Sequence, residues 1–243
     1  MKKLIYFTLG NNTNYIKLAD LCIKSLYEND YDGDFLFITN LKNELLNQIN
    51  FKNEPFFLEL TQSNLLESSS NKLKIFKFDR IKEYEKIIYS DLDILWTKNP
   101  KILFDIIDDG YFYMSNEPHL MSETWWGGDI LSIDEKKIIL EQQINGLNAG
   151  IFGFKNDMVL HIQNIDTFLN ENLNLVNTCL EQPFINVYVF RNKLYKTDFN
   201  NYVSHLGYNI ENFDGVVLHF AGGPGNFEIK YEKMINYFNK KFV

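Results

Sequence analysis

The sequence predicts an α/β fold with a mainly parallel central sheet flanked by helices. Three observations carry this prediction. Short apolar runs suited to buried strands recur along the chain, and stretches of helical spacing separate them. No internal repeat, charge block or Pro/Gly-rich linker interrupts the alternation, so the 243 residues are expected to form one domain spanning 1–243.

Leu4 to Leu9 is a short apolar run fit for a first buried strand. Thr13 offers a cap to the helix that follows, in which Leu18, Leu21, Cys22 and Leu26 fall on one face. Asp30-Tyr31-Asp32-Gly33-Asp34 has turn composition and leads into a second strand over Phe35 to Thr39. It does not match a calcium loop, because its glycine stands at the fourth position and Leu41 occupies the place of the bidentate acid. Further strands are expected over Lys86 to Leu95, Tyr111 to Met114, Ala149 to Phe154 and Val216 to Phe220. Helices are expected over Asn71 to Tyr84, Asp134 to Gln143, Asp157 to Leu169 and Tyr231 to Lys241.

With 45% hydrophobic and 16% aromatic residues the chain can bury a large core, which excludes intrinsic disorder. Its net charge of −8 argues against a nucleic-acid groove or an anionic membrane surface as partner. A phosphorylated ligand then requires a local device such as a metal ion. Cys22 and Cys179 are too few for a disulfide framework or a zinc site and are expected as buried thiols. Met1-Lys2-Lys3 precedes a short apolar run, but Asn11-Asn12-Thr13-Asn14 follows in place of a cleavage site. No run approaches the ~18 apolar residues of a membrane span. The expectation is a cytoplasmic chain without a membrane span, and the oligomeric state stays open.

In parallel sheets ligands bind beyond the carboxyl ends of the strands. Asp91 and Asp93 lie where Lys86-Ile87-Ile88-Tyr89 runs out, and acids at i and i+2 of an extended segment face one side. Two such carboxylates can hold Mg²⁺ or Mn²⁺. The pattern alone is weak, since about one Asp-x-Asp is expected by chance in a chain of this composition.

Further motifs come in order: Phe7-Thr8-Leu9 with Asn12 and Tyr15, then Lys72-Leu73, then Tyr89-Ser90-Asp91-Leu92-Asp93. Asn148-Ala149-Gly150, Glu181-Gln182 with Asn186, and His219-Phe220-Ala221-Gly222 follow. In this set and order the chain resembles the family 8 glycosyltransferases, the glycogenin-like enzymes, over residues 5 to 222.

The resemblance implies a GT-A fold, a UDP-sugar donor, a glycan or other hydroxyl acceptor, and Mn²⁺ or Mg²⁺ as cofactor. It implies hexosyl transfer with retention of configuration. Thr8, Leu9, Asn12 and Tyr15 would line the nucleotide site, with Tyr15 stacking on the base. Asp91, Asp93 and His219 would be metal ligands, Leu92 would lie between them at the donor, and Gly222 would let the backbone approach the diphosphate. Lys72, Asn148 and Ala149 would contact the donor; a solvated Lys72 among Lys74, Lys77 and Lys82 is the other reading. Glu181 and Gln182 would lie at the anomeric carbon as catalytic groups, and covalent attack and charge stabilisation by Glu181 both stay open. The chain departs from the family at Gly225, where a lysine is usual, and a glycine loop or Lys230 could substitute. It also carries Glu181 for the usual Asp and the bulky Leu92 for a small residue.

Trp125-Trp126-Gly127-Gly128 has no counterpart in the resemblance. It reads either as core packing followed by a turn or as a platform for an acceptor sugar ring. Two other classes compete with this reading. A sugar-1-phosphate nucleotidylyltransferase would need a basic glycine-rich loop after the first strand, which Leu9 to Tyr15 does not supply. A non-catalytic UDP-sugar or glycan-binding relative would draw support from Gly225.

Overall fold

The computed structural model describes residues 2–10, 12–205, 207, 209–210, 213–222 and 227–243. The first half alternates strand and helix as the periodicity predicts: β1 (Lys3–Leu9), α1 (Tyr15–Glu28), β2 (Asp34–Thr39), α2 (Lys42–Gln48), β3 (Phe56–Glu59) and α3 (Leu65–Ser70). Then come β4 (Lys86–Ser90), β5 (Ile94–Trp96), α4 (Lys101–Ile106), β6 (Phe112–Leu120), α5 (Ile133–Gln142) and β7 (Asn145–Lys155). The remainder holds α6 (Val159–Glu171), α7 (Gln182–Arg191), β8 (Tyr195–Lys196), β9 (Val203–Ser204), β10 (Val217–His219) and α8 (Phe227–Phe242).

Seven strands form one sheet in the order β3-β2-β1-β4-β7-β6-β8, and β5-β10-β9 form a smaller one. Strands β1 to β4 are mutually parallel, and β7 runs antiparallel to both β4 and β6. Side chains of β1 alternate between two cores. Ile5, Phe7 and Leu9 pack with α1 and the apolar face of α8, while Leu4 and Tyr6 pack with residues of α6 and α7. Both sheet faces are therefore covered, the condition under which a parallel sheet is stable. Burying Phe7 completely is worth about 2–3 kcal/mol.

Four sequence expectations need correction. The strand expected over Lys86 to Leu95 breaks after Ser90, and its two halves belong to different sheets. Asp91 N donates to Gly150 O at 2.7 Å, and Asp93 O accepts from Phe220 N at 2.9 Å, so the chain changes partners across the acidic pair. The helix expected over Asn71 to Tyr84 is instead two 3-10 segments, Asn71–Lys77 and Ile81–Glu83. Its buried positions Leu73, Ile75, Phe78 and Ile81 do not keep the 3.6-residue period. Thr13 does not cap α1. Asn14 occupies that place without a side-chain bond, and Asn12 Oδ1 accepts from Asn14 N at 3.0 Å to shape the entry turn. Cys22 is buried as expected, but Cys179 is only half-buried.

The acidic turn before β2 is a turn. Asp30 adopts φ 57° there, and Asp34 accepts from Tyr84 Oη at 2.7 Å. Among the described residues no helix is long and apolar enough to cross a membrane.

Candidate functional site

Strand β4 delivers the acidic pair to the carboxyl edge of the parallel strands. Leu92 is buried in the core, so it anchors the segment while the carboxylates on either side turn the other way. Strand β10 ends on His219, which lies opposite Ile94 of β5. Ligand atoms of Asp91, Asp93 and His219 all lie within 4.8 Å of one another. His219 Nε2 is 3.1 Å from Asp93 Oδ1 and 3.9 Å from Asp91 Oδ2. Lys230, from the first turns of α8, pairs with Asp93 Oδ2.

Gly150 makes this crowding possible. A Cβ there would run into His219 Cε1, and would lie 2.7 Å from Asp91 Oδ2 and 3.0 Å from Asn148 Oδ1. Two carboxylates and an imidazole around such a cradle fit a hard or borderline divalent cation, Mg²⁺ or Mn²⁺.

The two acids are electrostatically unlike. Burial pushes the Asp91 carboxyl up, assisted by the charge of Asp93 and opposed by Lys72. Burial acts in the same sense on Asp93, but His219 and Lys230 together outweigh it and hold that carboxyl well below the usual range. Tyr89 bridges the site to β1: its hydroxyl bonds Thr8 Oγ1 at 2.9 Å and donates to Asp91 Oδ1.

Lys72 is not solvated. Its side chain is 4% exposed, and its ammonium meets Glu181 Oε1 at 2.7 Å, Ala149 O at 3.1 Å and Asp91 Oδ1 at 3.6 Å. The same ammonium lies 4.5 Å from the centre of the Tyr89 ring. Burial works against its charge, yet Asp91 and Glu181 raise its pKa above the ordinary lysine value. Glu181, at the entry to α7, also accepts from Ser69 Oγ. Beside this pair, Asn148 Nδ2 donates to Glu117 Oε1 at 2.7 Å and Asn148 Oδ1 accepts from Gly150 N at 2.9 Å. Gln182 approaches both Ala149 N and Glu117 Oε1 at 3.4 Å.

The acidic pair borders a cleft of about 540 Å³. Thr8, Leu9, Asn12, Tyr15, Ser69, Asp91, Leu92, Asp93 and Lys230 are among its lining residues. Tyr15 keeps 38% of its surface exposed and meets the Phe227 ring edge-on at 5.7 Å. Gly222, at φ 59°, has open space where a side chain would stand. Gly225 lies outside the described residues.

The structure thus brings together the acidic pair, His219, Lys72, Asn148, Ala149, Glu181 and Gln182, while Thr8, Leu9, Asn12 and Tyr15 share a cleft with the acidic pair. The tryptophans have contacts of their own. Trp125 is 60% exposed, whereas Trp126 stacks on His119 at 5.8 Å and accepts from Asn186 through its carbonyl at 2.9 Å. Sequence reasoning missed Ser69, Glu117 and His205. The imidazole of His205 lies beside that of His219, with their Nδ1 atoms 3.2 Å apart. A second histidine fourteen positions before His219 was the available signal.

No family model matches the chain, and no curated protein sequence does. Solved structures do match. One is the bifunctional glycosyltransferase WbbM, in its apo form, with a TM-score of 0.60 at 15% identity over 99% of this chain and 50% of that one. Another is the apo form of the glycosyltransferase GlyE of Streptococcus pneumoniae TIGR4, with a TM-score of 0.64 at 14% identity over 99% of this chain and 63% of that one. The chain therefore has the α/β fold of these glycosyltransferases, and it spans less than two thirds of the length of either.

Proposed function

We propose that residues 1–243 form one metal-dependent glycosyltransferase domain of family 8, glycogenin-like type. It would move a hexosyl group from a UDP-sugar to a hydroxyl of a saccharide or other acceptor, with retention. The observation that carries this reading is the convergence of Asp91, Asp93 and His219 within 4.8 Å, with both acids lining a cleft beyond the parallel strands.

In this reading Leu9, Asn12 and Tyr15 bind uracil and ribose, with Thr8 beneath them and the Tyr15 face available for stacking. Asp91, Asp93 and His219 hold the cation, with Leu92 fixing their spacing. Bound there, Mn²⁺ or Mg²⁺ supplies Lewis-acid neutralisation of the charge that develops on the leaving UDP. Lys230 stands in for the lysine that Gly225 replaces, and Gly222 admits the diphosphate to the backbone. Asn148 and Ala149 orient the transferred sugar. Lys72 places a positive charge between Asp91 and Glu181. Because Glu181 is committed to Lys72 and Ser69, we assign it charge stabilisation rather than covalent attack, with the amide of Gln182 nearer the sugar. Trp125, exposed beside the stacked Trp126, is the acceptor-side aromatic.

The test is UDP release from a panel of UDP-sugars with Mn²⁺ and with EDTA, for wild type and Asp93→Ala. The expected result is metal-dependent hydrolysis of one donor, lost in the variant. The absence of both turnover and UDP binding would overturn the reading. The buried Glu181–Lys72 pair behind the cleft favours a second reading, a UDP-sugar or glycan-binding relative. Calorimetric binding of UDP with Mn²⁺ but no turnover, even with acceptor sugars present, is its signature.

A further inference from the structure

The side chains behind His219 form a line. Ser115 Oγ of β6 lies 2.8 Å from His205 Nε2, and His205 Nδ1 lies 3.2 Å from His219 Nδ1. His219 Nε2 then meets Asp93 Oδ1 at 3.1 Å. Ser115 and His219 are buried, and the two rings meet edge to face at 5.4 Å with planes at 75°. The line joins the large sheet, through Ser115, to the small one, through His219.

An imidazole that ligates a cation through one nitrogen must carry its proton on the other, and that proton needs an acceptor. We propose that His205 is the positioning residue that makes His219 a lone-pair ligand, in a Ser115–His205–His219 relay with two proton arrangements. In the first, His219 Nε2–H donates to Asp93, His205 Nδ1–H donates to His219 Nδ1, and Ser115 Oγ–H donates to His205 Nε2. In the second, His219 Nε2 offers its lone pair to the cation. His219 Nδ1–H then donates to His205 Nδ1, and His205 Nε2–H donates to Ser115 Oγ. Each ring keeps one proton in both arrangements, so His219 can exchange its bond to Asp93 for a metal bond with no change in net protonation. Without His205, the proton on His219 Nδ1 would be buried without an acceptor, and the ligating tautomer would be disfavoured. The inference rests on the proposed cation site.

Calorimetric Mn²⁺ titration of wild type, His205→Phe and His205→Asn tests it, with folding of each variant checked by circular dichroism. Asn places its amide oxygen near the position of Nδ1 and can accept the His219 proton, whereas Phe cannot. His205→Phe should weaken Mn²⁺ binding about 10- to 100-fold, and His205→Asn should recover most of that loss. Equal affinity in wild type and a folded His205→Phe overturns the proposal, as does an Asn variant no better than Phe.

A measurement on the unaltered chain does not depend on the variants folding. Nitrogen-15 NMR of the histidine rings, at mildly alkaline pH with and without Mg²⁺, reads both tautomers. Both rings should exchange tautomers when the site is saturated, and a His205 ring unaffected by Mg²⁺ overturns the relay. Failure of the wild type to bind either cation instead overturns the metal reading beneath it, while the tautomers of the free protein remain readable.

Discussion

Lys230 Nζ pairs with Asp93 Oδ2 across 137 residues of sequence, while His219 Nε2 holds the other oxygen of the same carboxylate. The ammonium thus offsets, in the absence of another cation, the negative charge that the site concentrates. On the proposed function, a divalent ion would compete with Lys230 for Asp93, and a diphosphate entering beside the ion would give the displaced ammonium a new partner.

Lys230→Met should therefore have opposite effects on two ligands. Mn²⁺ alone should bind several-fold more tightly, and UDP in the presence of Mn²⁺ about ten-fold more weakly, the scale of one charge-assisted hydrogen bond of about 1.5 kcal/mol. Calorimetry of both titrations on one preparation checks the pair of signs. A variant that strengthens or weakens both would show that Lys230 only shapes the cleft.

Lys72 and Glu181 are each 4% exposed, so water cannot hydrate either charge in place when its partner is removed. Lys72→Met should destabilise the fold by about 3–5 kcal/mol. Adding Glu181→Gln should recover a substantial part of the loss, because the stranded carboxylate is gone. Urea unfolding of the two single variants and the double variant gives the coupling. A Lys72→Met penalty below about 1 kcal/mol would mean that Glu181 is satisfied by Ser69 alone.

Gly150→Ala should cost about 1–3 kcal/mol, the usual range for overpacking, and should abolish Mn²⁺ binding, because the new methyl lies between His219, Asp91 and Asn148. Thermal melting and metal titration together distinguish local displacement from global unfolding. Undiminished metal binding in the variant would place the cation elsewhere.

A pH effect is expected away from the cleft. Arg191 holds the Glu135 carboxylate, at 2.7 Å and 3.0 Å, and Ser132 N donates to it in a capping box; these bonds outweigh partial burial and lower its pKa from 4.5 to about 2. Because the folded value is depressed, the contribution is fully present above pH 4.5 and is lost as pH falls through 2. Allowing for screening at the half-exposed Arg191, Glu135→Gln should lower stability near neutrality by about 1–2 kcal/mol. Below pH 2 the two proteins should converge, as urea midpoints along a pH series would reveal.

The fold was readable wherever burial imposes a single period. The short apolar run Leu4 to Leu9 marks β1 as a strand buried on both faces, and the spacing of Leu18, Leu21, Cys22 and Leu26 defines the buried face of α1. The break after Ser90 was not readable, because Leu92, Ile94 and Leu95 continue the apolar pattern while the hydrogen-bond partners change. At the site, Asp91 and Asp93 were visible through their position at a strand end. Lys72 was singled out through the resemblance, with a solvated lysine as the other reading; its burial depends on Glu181, Ala149 and Asp91 from distant segments. Glu117 carries no local pattern, since its partner lies 31 residues away, and the one signal for His205 was its spacing of 14 from His219.

The strand break after Ser90 also has a mechanical side. Asp91 hangs from the large sheet through Gly150 O, and Asp93 is tied to the small sheet through Phe220 N. Each carboxylate therefore stands on its own side of a seam. Anything that bridges the two acts as a clasp across that seam, so filling the cleft should stiffen the junction between the sheets. Slower amide exchange in β5 and β10 would record that stiffening even in a protein that has turned over nothing.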